Sequence, residues 1–551
     1  MKRLACFILL GHHFLSMAQT KKEADLIVFN ARVYTVNAKF ETAEAFAIKG
    51  GKVLAVGATK DLIKKYKGKQ LDAGGKTIVP GFIDAHAHFY AYGEGLQTVD
   101  LVGTKSWNEV LEKIVSFSKS NTEGWLVGRG WDQNDWETKE YPNKKQLDER
   151  FPNRPVFLSR VDGHGAICNQ KALDLAHISP NQTLVGGEIE TKDGALTGIL
   201  VDNAVGLVET MMPAKSEKQI KESLLDAQKK CFAVGLTTIA DCGLDFPLVE
   251  IIEKTQKEKA LKMRLFVMLS DDRKNYEYLF KRGKIKTDRL NVRSFKLYAD
   301  GALGSRGACL LHPYADRANY FGFLLKDTTY YRAVLTKIAE NGFQACTHAI
   351  GDSANRTILK LYSEILTQQT PKTNGKNDMR WRIEHAQVVD NQDFSTFGRF
   401  NIIPSVQPTH ATSDMYWAAQ RLGKEPVKTA YAYKQLMKEN GWIPLGTDFP
   451  VENIDPILTF FAAVVRQDAK GFPEGGFQFE NALTKEETLR GMTIWAAKSN
   501  FEETEKGSIE VGKFADFIIL NQDLMTVKNE DILKTKVLKT YLNGELVFEK
   551  K

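Results

Sequence analysis

The chain is expected to fold as α/β: a (β/α)8 TIM-like barrel with a composite β-sandwich domain drawn from both termini. Three observations predict this. Through the middle of the 551 residues, strand-like runs alternate with helical patterns, the mark of a parallel sheet wound with helices. At each end, short β-branched runs are instead separated by turn dipeptides. Several central strands close on a histidine, a lysine or an aspartate, and the C-terminal ends of barrel strands are where reactive groups converge.

Taken in order, the first element is an address. Lys2 and Arg3 precede an apolar stretch, Leu4 to Leu15, interrupted by His12 and His13, and Ser16-Met17-Ala18 places small residues where a signal peptidase cuts. Residues 1–18 therefore read as a signal peptide removed before Gln19, with export to a periplasmic or extracellular space; a short buried or disordered start, cytoplasmic in that case, is the alternative. Residues 19–79 then supply the runs Asp25 to Asn30, Arg32 to Val36 and Ala45 to Ile48, with Gly50-Gly51 turning into Lys52 to Gly57. Residues 497–551 match them in character: Val537 to Leu542 turns at Asn543-Gly544 into Glu545 to Phe548, and Asn-Gly between such runs signals a hairpin. Neither end can bury a core alone, so the two are expected to pair.

Residues 80–496 hold the barrel strands: Thr77 to Ala87, Thr237 to Asp241, Leu265 to Leu269, Ser294 to Ala299, Phe343 to His348, Arg380 to His385, Ile402 to Gln407 and Ile443 to Thr447. This span far exceeds the roughly 250 residues of a plain barrel. The surplus lies at about 97–215, rich in Trp, Gly and Asp and poor in helical period, and reads as an insertion over the barrel mouth.

Composition narrows the partners. Seventy-five basic against 68 acidic side chains give a net charge of +7, and the lysine clusters are short and interrupted. They read as solvated faces and not as a nucleic-acid footprint. No apolar run reaches the ~18 residues of a membrane span. After the signal five cysteines remain, an odd number with no metal-knuckle or redox spacing, so a disulfide framework is not expected.

His86 and His88 stand at i and i+2 on a strand and share a face. Alone, such a pair is weak. Lys296, inside an otherwise apolar strand, and His348, His385 and Asp448, each ending another, make it a series. Individually they could be a satisfied core histidine, a snorkelling lysine or a turn aspartate. Together, imidazoles and a carboxylate suit Zn²⁺ and similar ions. A metal with an open position activates water and polarises a carbonyl. An ammonium in such a ring is repelled by the metal, but a carbamate formed on Lys296 by CO₂ would be a bridging oxygen ligand.

With VPGFIDAHAH, FKLYADGALGSRGA, CTHAIGDSANR, RIEHAQ, LGTDFPVENIDP and GSIEVGKFADFIIL, the chain resembles the amidohydrolase superfamily, in its YtcJ-like branch, which includes N-substituted formamide deformylases. The likeness runs from about residue 23 to the C-terminus. It implies the barrel and composite sandwich, one or two divalent ions, His86 and His88 as first-strand ligands, Lys296 as bridging lysine, His348 and His385 as second-metal ligands, and Asp448 as ligand and general base.

Other candidates are read from position. His164 could reach over the mouth to polarise a carbonyl, or be structural; Arg306 could clamp a substrate oxygen, or form an ion pair. Trp131, Asp132 and Trp136 could line an aromatic pocket or pack the insertion, and His410 could touch substrate. Cys346 reads as barrel filling, His177 and His312 as structural. The expected activity is metal-activated hydrolysis of a non-peptide C–N bond in a small-molecule N-acyl or N-formyl amide, Asp448 acting as base. Esterase, lactonase or deaminase chemistry at the same site is the alternative, and a non-catalytic ligand-binding relic is the alternative from another class.

Overall fold

The computed structural model describes residues 21–369 and 378–551; the expected signal peptide lies outside them. Seven parallel strands form the central sheet in sequence order: β1 (Phe82–Ala87), β2 (Leu236–Leu244), β3 (Arg264–Ser270), β4 (Leu290–Tyr298), β5 (Gln344–Ala349), β6 (Arg382–His385) and β7 (Ile403–Ser405). Helices such as Glu217–Ala233, Thr328–Glu340 and Asp352–Gln369 lie between them in the chain. Beneath the strand ends the barrel is filled by Ala240, Cys242, Phe266, Met268 and Cys346.

The eighth position differs from expectation. The segment predicted as a strand over Ile443–Thr447 makes only one bridge, Val406 to Leu445. On its other side the Ala85 N–H donates to Leu445 O (3.2 Å), and the Asp448 N–H donates to His86 O (2.8 Å). Hydrogen bonds therefore close the barrel without a regular ladder. Gly446 permits the approach, because a Cβ there would lie 2.6 Å from His86 N and 2.8 Å from His86 O.

The run predicted as one strand, Thr77–Ala87, divides at Gly81. Pro80 has no N–H to carry the ladder forward, and the Gly81 N–H donates to Asp516 O (3.0 Å). Thr77–Pro80 consequently joins Arg32–Tyr34 and Phe517–Leu520 in a terminal sheet, while β1 opens the barrel. That terminal sheet has six strands, taken from both chain ends, and faces a four-stranded sheet of N-terminal strands only. Leu26, Phe46, Ile78, Phe517 and Tyr541 fill the space between. The closing hairpin turns at Asn543 (φ +51°) and Gly544 (φ +72°), the two left-handed residues that a two-residue hairpin of this twist needs.

Between β1 and β2 stands a separate six-stranded sheet, ordered Gly187–Lys192, Ala195–Asp202, Gly165–Cys168, Val156–Arg160, Leu126–Trp131 and Val99–Asp100. Its inner face is packed by Leu111, Trp131, Trp136, Leu158 and Ile199. Among the described residues no helix is long and apolar enough to cross a membrane.

Candidate metal centre

His86, His88, Lys296, His348, His385 and Asp448 all line one cavity or its buried floor at the C-terminal ends of the strands. His86 is fully buried near the end of β1. Its Nδ1 lies 2.5 Å from Glu384 Oε2, so Nδ1 carries the proton and the Nε2 lone pair faces inward. Burial first, and the Lys296 charge second, hold its pKa down at about 4, leaving a neutral imidazole. His88 follows β1 and is oriented through Nδ1 by Cys242 O at 3.0 Å. Both Nε2 atoms converge on Asp448 Oδ1, at 3.4 Å from His86 and 3.2 Å from His88.

Two left-handed residues aim the rest. Asp448 has φ +63°, and His385, at the end of β6, has φ +73°. Strict alternation would send Glu384 and His385 to opposite faces. The left-handed turn breaks it, so Glu384 reaches His86 while the His385 ring lies 4.7 Å from that of His86 and 4.6 Å from that of His348. Glu384 is itself held by Arg382, Nε to Oε1 at 2.6 Å, and with His86 this keeps its carboxyl ionised far below the usual range in spite of burial. Burial also drives the pKa of His348 and His385 well below the ordinary histidine value.

The donor set fits a divalent ion. The ligand atoms of His86, His88 and Asp448 lie within 4.8 Å of one another, as do those of His385, His410 and Asp448. Among the described residues Asp448 Oδ1 and His385 Nδ1 are buried without a hydrogen-bond partner, groups that are costly to leave unmatched. Lys296 is buried, with Nζ 3.3 Å from His86 Nε2. His348 belongs to neither group; its Nε2 lies 3.4 Å from Gly301 O and 3.6 Å from Asp300. His410 is sandwiched between Asp448 Oδ2 (3.2 Å) and Glu452 Oε1 (3.0 Å), and these carboxylates outweigh burial and raise its pKa well above the usual value. Held between the two carboxylates, His410 orients Asp448.

The cavity measures about 880 Å³. His164 and Asp132 line it, together with apolar groups that include Leu303, Ile350 and Trp417. His164 Nδ1 lies 2.6 Å from Asp202 Oδ1; burial alone would lower the His164 pKa, but Asp202 raises it above the ordinary value. Three candidate residues are not in the wall. Arg306 (φ +64°) gives its guanidinium to Asp316, at 2.9 and 3.2 Å. Trp131 is buried inside the insertion sheet, its Nε1–H donating to Leu158 O at 2.8 Å, with Trp136 beside it. The guanidinium groups at the cavity are those of Arg129 and Arg160, neither singled out in the sequence; Arg160 is bound by Asp132, Asp162 and Gln133. Also missed were Glu384, Glu452 and Asp202, and Asp84, which ties β1 to the closing segment through Thr447 N (3.0 Å) and Oγ1 (2.7 Å). Only Glu384 carried a signal, as a carboxylate beside a strand-end histidine. His177 and His312 are exposed and are not part of the cavity wall.

Comparison with known proteins agrees with this geometry. A model of the amidohydrolase family matches residues 69–548. A putative amidohydrolase, YtcJ, of Bacillus subtilis (strain 168) is 30% identical over 94% of this chain and 98% of its own. N-substituted formamide deformylase of Arthrobacter pascens is 26% identical over 96% and 98%. Among solved structures, an uncharacterized metal-dependent hydrolase from Pyrococcus horikoshii OT3 superposes with a TM-score of 0.75 and 26% identity, covering 92% of this chain and 99% of that one.

Proposed function

The chain belongs to the amidohydrolase family, and from that premise we propose that it hydrolyses a non-peptide C–N bond in a small N-acyl or N-formyl amide, using one or two divalent ions, zinc foremost. The observation that carries the reading is the pair of donor clusters that share Asp448, His86 and His88 on one side and His385 on the other, with His385 Nδ1 and Asp448 Oδ1 buried and left unmatched among the described residues. His86, His88, His385 and Asp448 would hold the metal, with His348 and a carbamylated Lys296 completing a second position. The name of the deformylase relative supports an amide over other acyl compounds.

A divalent ion bound there supplies a water of lowered pKa and polarises the substrate carbonyl. Asp448 would take up a proton from the attacking water and return it to the leaving nitrogen. Its second oxygen is steadied by His410, itself fixed by Glu452, so the carboxylate need not reorient between the two transfers. His164 faces the cavity and stabilises the charge that develops on the carbonyl oxygen. The apolar wall receives the acyl or amine substituent and keeps bulk water away.

The test is a panel of N-formyl and N-acyl amides, esters and lactones, assayed before and after chelation and again after metal is restored. Amide turnover that is lost and recovered with metal is expected. Turnover indifferent to chelation, or confined to esters, would sink the amide reading.

A further inference from the structure

We infer that Asp202 is a positioning residue that holds His164 in working orientation over the metal centre, and that docking of the insertion onto the barrel is what completes the catalytic site. The amide-hydrolase reading enters only through what His164 acts upon.

His164 and Asp202 both come from the insertion. Strand Ala195–Asp202 runs antiparallel to Gly165–Cys168, with Val201 opposite Gly165, which brings Asp202 beside His164. Asp202 grips it at two points: its backbone N–H donates to His164 O at 2.8 Å, and its Oδ1 accepts from His164 Nδ1 at 2.6 Å. Nε2, with no partner among the described residues, is thereby left for the cavity, and the ring stands 5.0 Å from that of His348.

Three features of Asp202 work against stability. Its backbone is left-handed, φ +50°, a strained conformation for a non-glycine residue. Its side chain is 1% exposed. Its second oxygen, Oδ2, is buried without a donor among the described residues. Local strain and an unmatched buried oxygen persist where the surroundings enforce them, and here the enforcement is visible. The carboxylate lies in a cradle made by the barrel loop after β4: a Cβ on Gly301 would approach Oδ2 to 2.3 Å, and one on Gly307 to 2.2 Å. Only because both residues lack a side chain can the insertion seat its carboxylate against the loop that follows Lys296. The pair therefore sits at the junction, its carboxylate seated against the barrel loop and its imidazole at the cavity.

The experiment is a double-mutant cycle of Asp202→Asn and His164→Ala, with kcat, KM and metal content measured for each protein. Asp202→Asn should lose about 10²-fold in kcat, the lower range for a positioned proton-handling group, with metal content and KM little changed. The double variant should be no slower than His164→Ala within about twofold, because a residue acting through His164 has nothing left to act on. Losses that multiply, or an Asp202→Asn enzyme with wild-type kcat, overturn the inference. Should Asp202→Asn fail to fold, Gly307→Ala replaces it: the added methyl displaces Oδ2 and the same kcat loss is expected, while normal kcat overturns. If the wild type cleaves esters or lactones and no amide, the amide reading fails and the cycle is run on those substrates. If it turns over nothing in the panel, the ¹⁵N shifts of His164 in histidine-labelled protein decide: they should move in Asp202→Asn, and unchanged shifts overturn.

Discussion

Lys296 poses an electrostatic problem that its neighbours make sharper. It is buried, with Nζ 3.3 Å from the inward nitrogen of His86, so as an ammonium it would face any ion held by that nitrogen across a short, poorly screened gap. A carbamate at the same place is anionic and offers oxygens. Lys296→Ala should therefore fold but lose metal and nearly all turnover, and small carboxylic acids should restore part of both. Elemental analysis showing full metal in Lys296→Ala would instead make Lys296 a substrate-facing cation. The lysine and the histidines were legible in the sequence because each closes an apolar run of its own. Their supports were not. Glu384 lies 298 residues from His86 and reaches it only because the left-handed His385 breaks strand alternation, and no local pattern announces a φ of +73°. Arg306 misled for the converse reason: a guanidinium soon after a site residue looks like a clamp until its partner, Asp316, is seen.

The closing element of the barrel shows how an active site can depend on a missing side chain. The segment from Ile443 reads as a strand, and its apolar run does cross the gap between β7 and β1, but Gly446 sits so close to His86 that regular pairing gives way to isolated hydrogen bonds. The same approach sets Asp448 against His86 and His88. Gly446→Ala would place a methyl carbon within 3 Å of main-chain atoms, which cannot swing aside as a side chain can. Overpacking of this kind costs about 1–3 kcal/mol. The expected outcome is a lower urea midpoint together with weakened metal retention, measured as a faster loss of metal to a chelator. A variant that keeps wild-type metal retention would show that closure and ligand placement are independent. Elements with turn chemistry, such as the Asn543-Gly544 hairpin, were legible for the opposite reason: their backbone requirement is written in two adjacent residues. The insertion was legible as a surplus of chain, but its six-stranded sheet was not, since its strands are short and pack around Trp131 and Trp136.

At the scale of the whole molecule, the two ends of the barrel answer to different demands. The composite sandwich docks near the N-terminal ends of the strands, where Arg264, the first residue of β3, pairs with Asp516 at 2.7 and 3.0 Å and stacks its guanidinium 4.0 Å from the Phe514 ring. Lys286 reinforces the junction through Glu502 and Glu505. The other end of β3 is Ser270, which registers with Lys296, so the junction lies about 20 Å from the metal centre at ~3.3 Å per residue. Arg264 is 0% exposed, and its other acceptors, Asp288 O and Asn543 Oδ1, are neutral, so removal of Asp516 leaves its charge unbalanced there. Breaking such a buried pair from one side costs about 3–5 kcal/mol, most of it the burden of the stranded charge. Asp516→Ala should accordingly lower the unfolding midpoint strongly while leaving kcat and KM of the folded, metal-loaded enzyme at wild-type values. Asp516→Asn, which keeps an acceptor for the Arg264 N–H groups and for the Asn543 N–H, should fall between the two in stability. A drop in kcat for folded Asp516→Ala would mean that the sandwich shapes the site through the length of β3, and that the barrel is a less rigid platform than its strands and ligand positions imply.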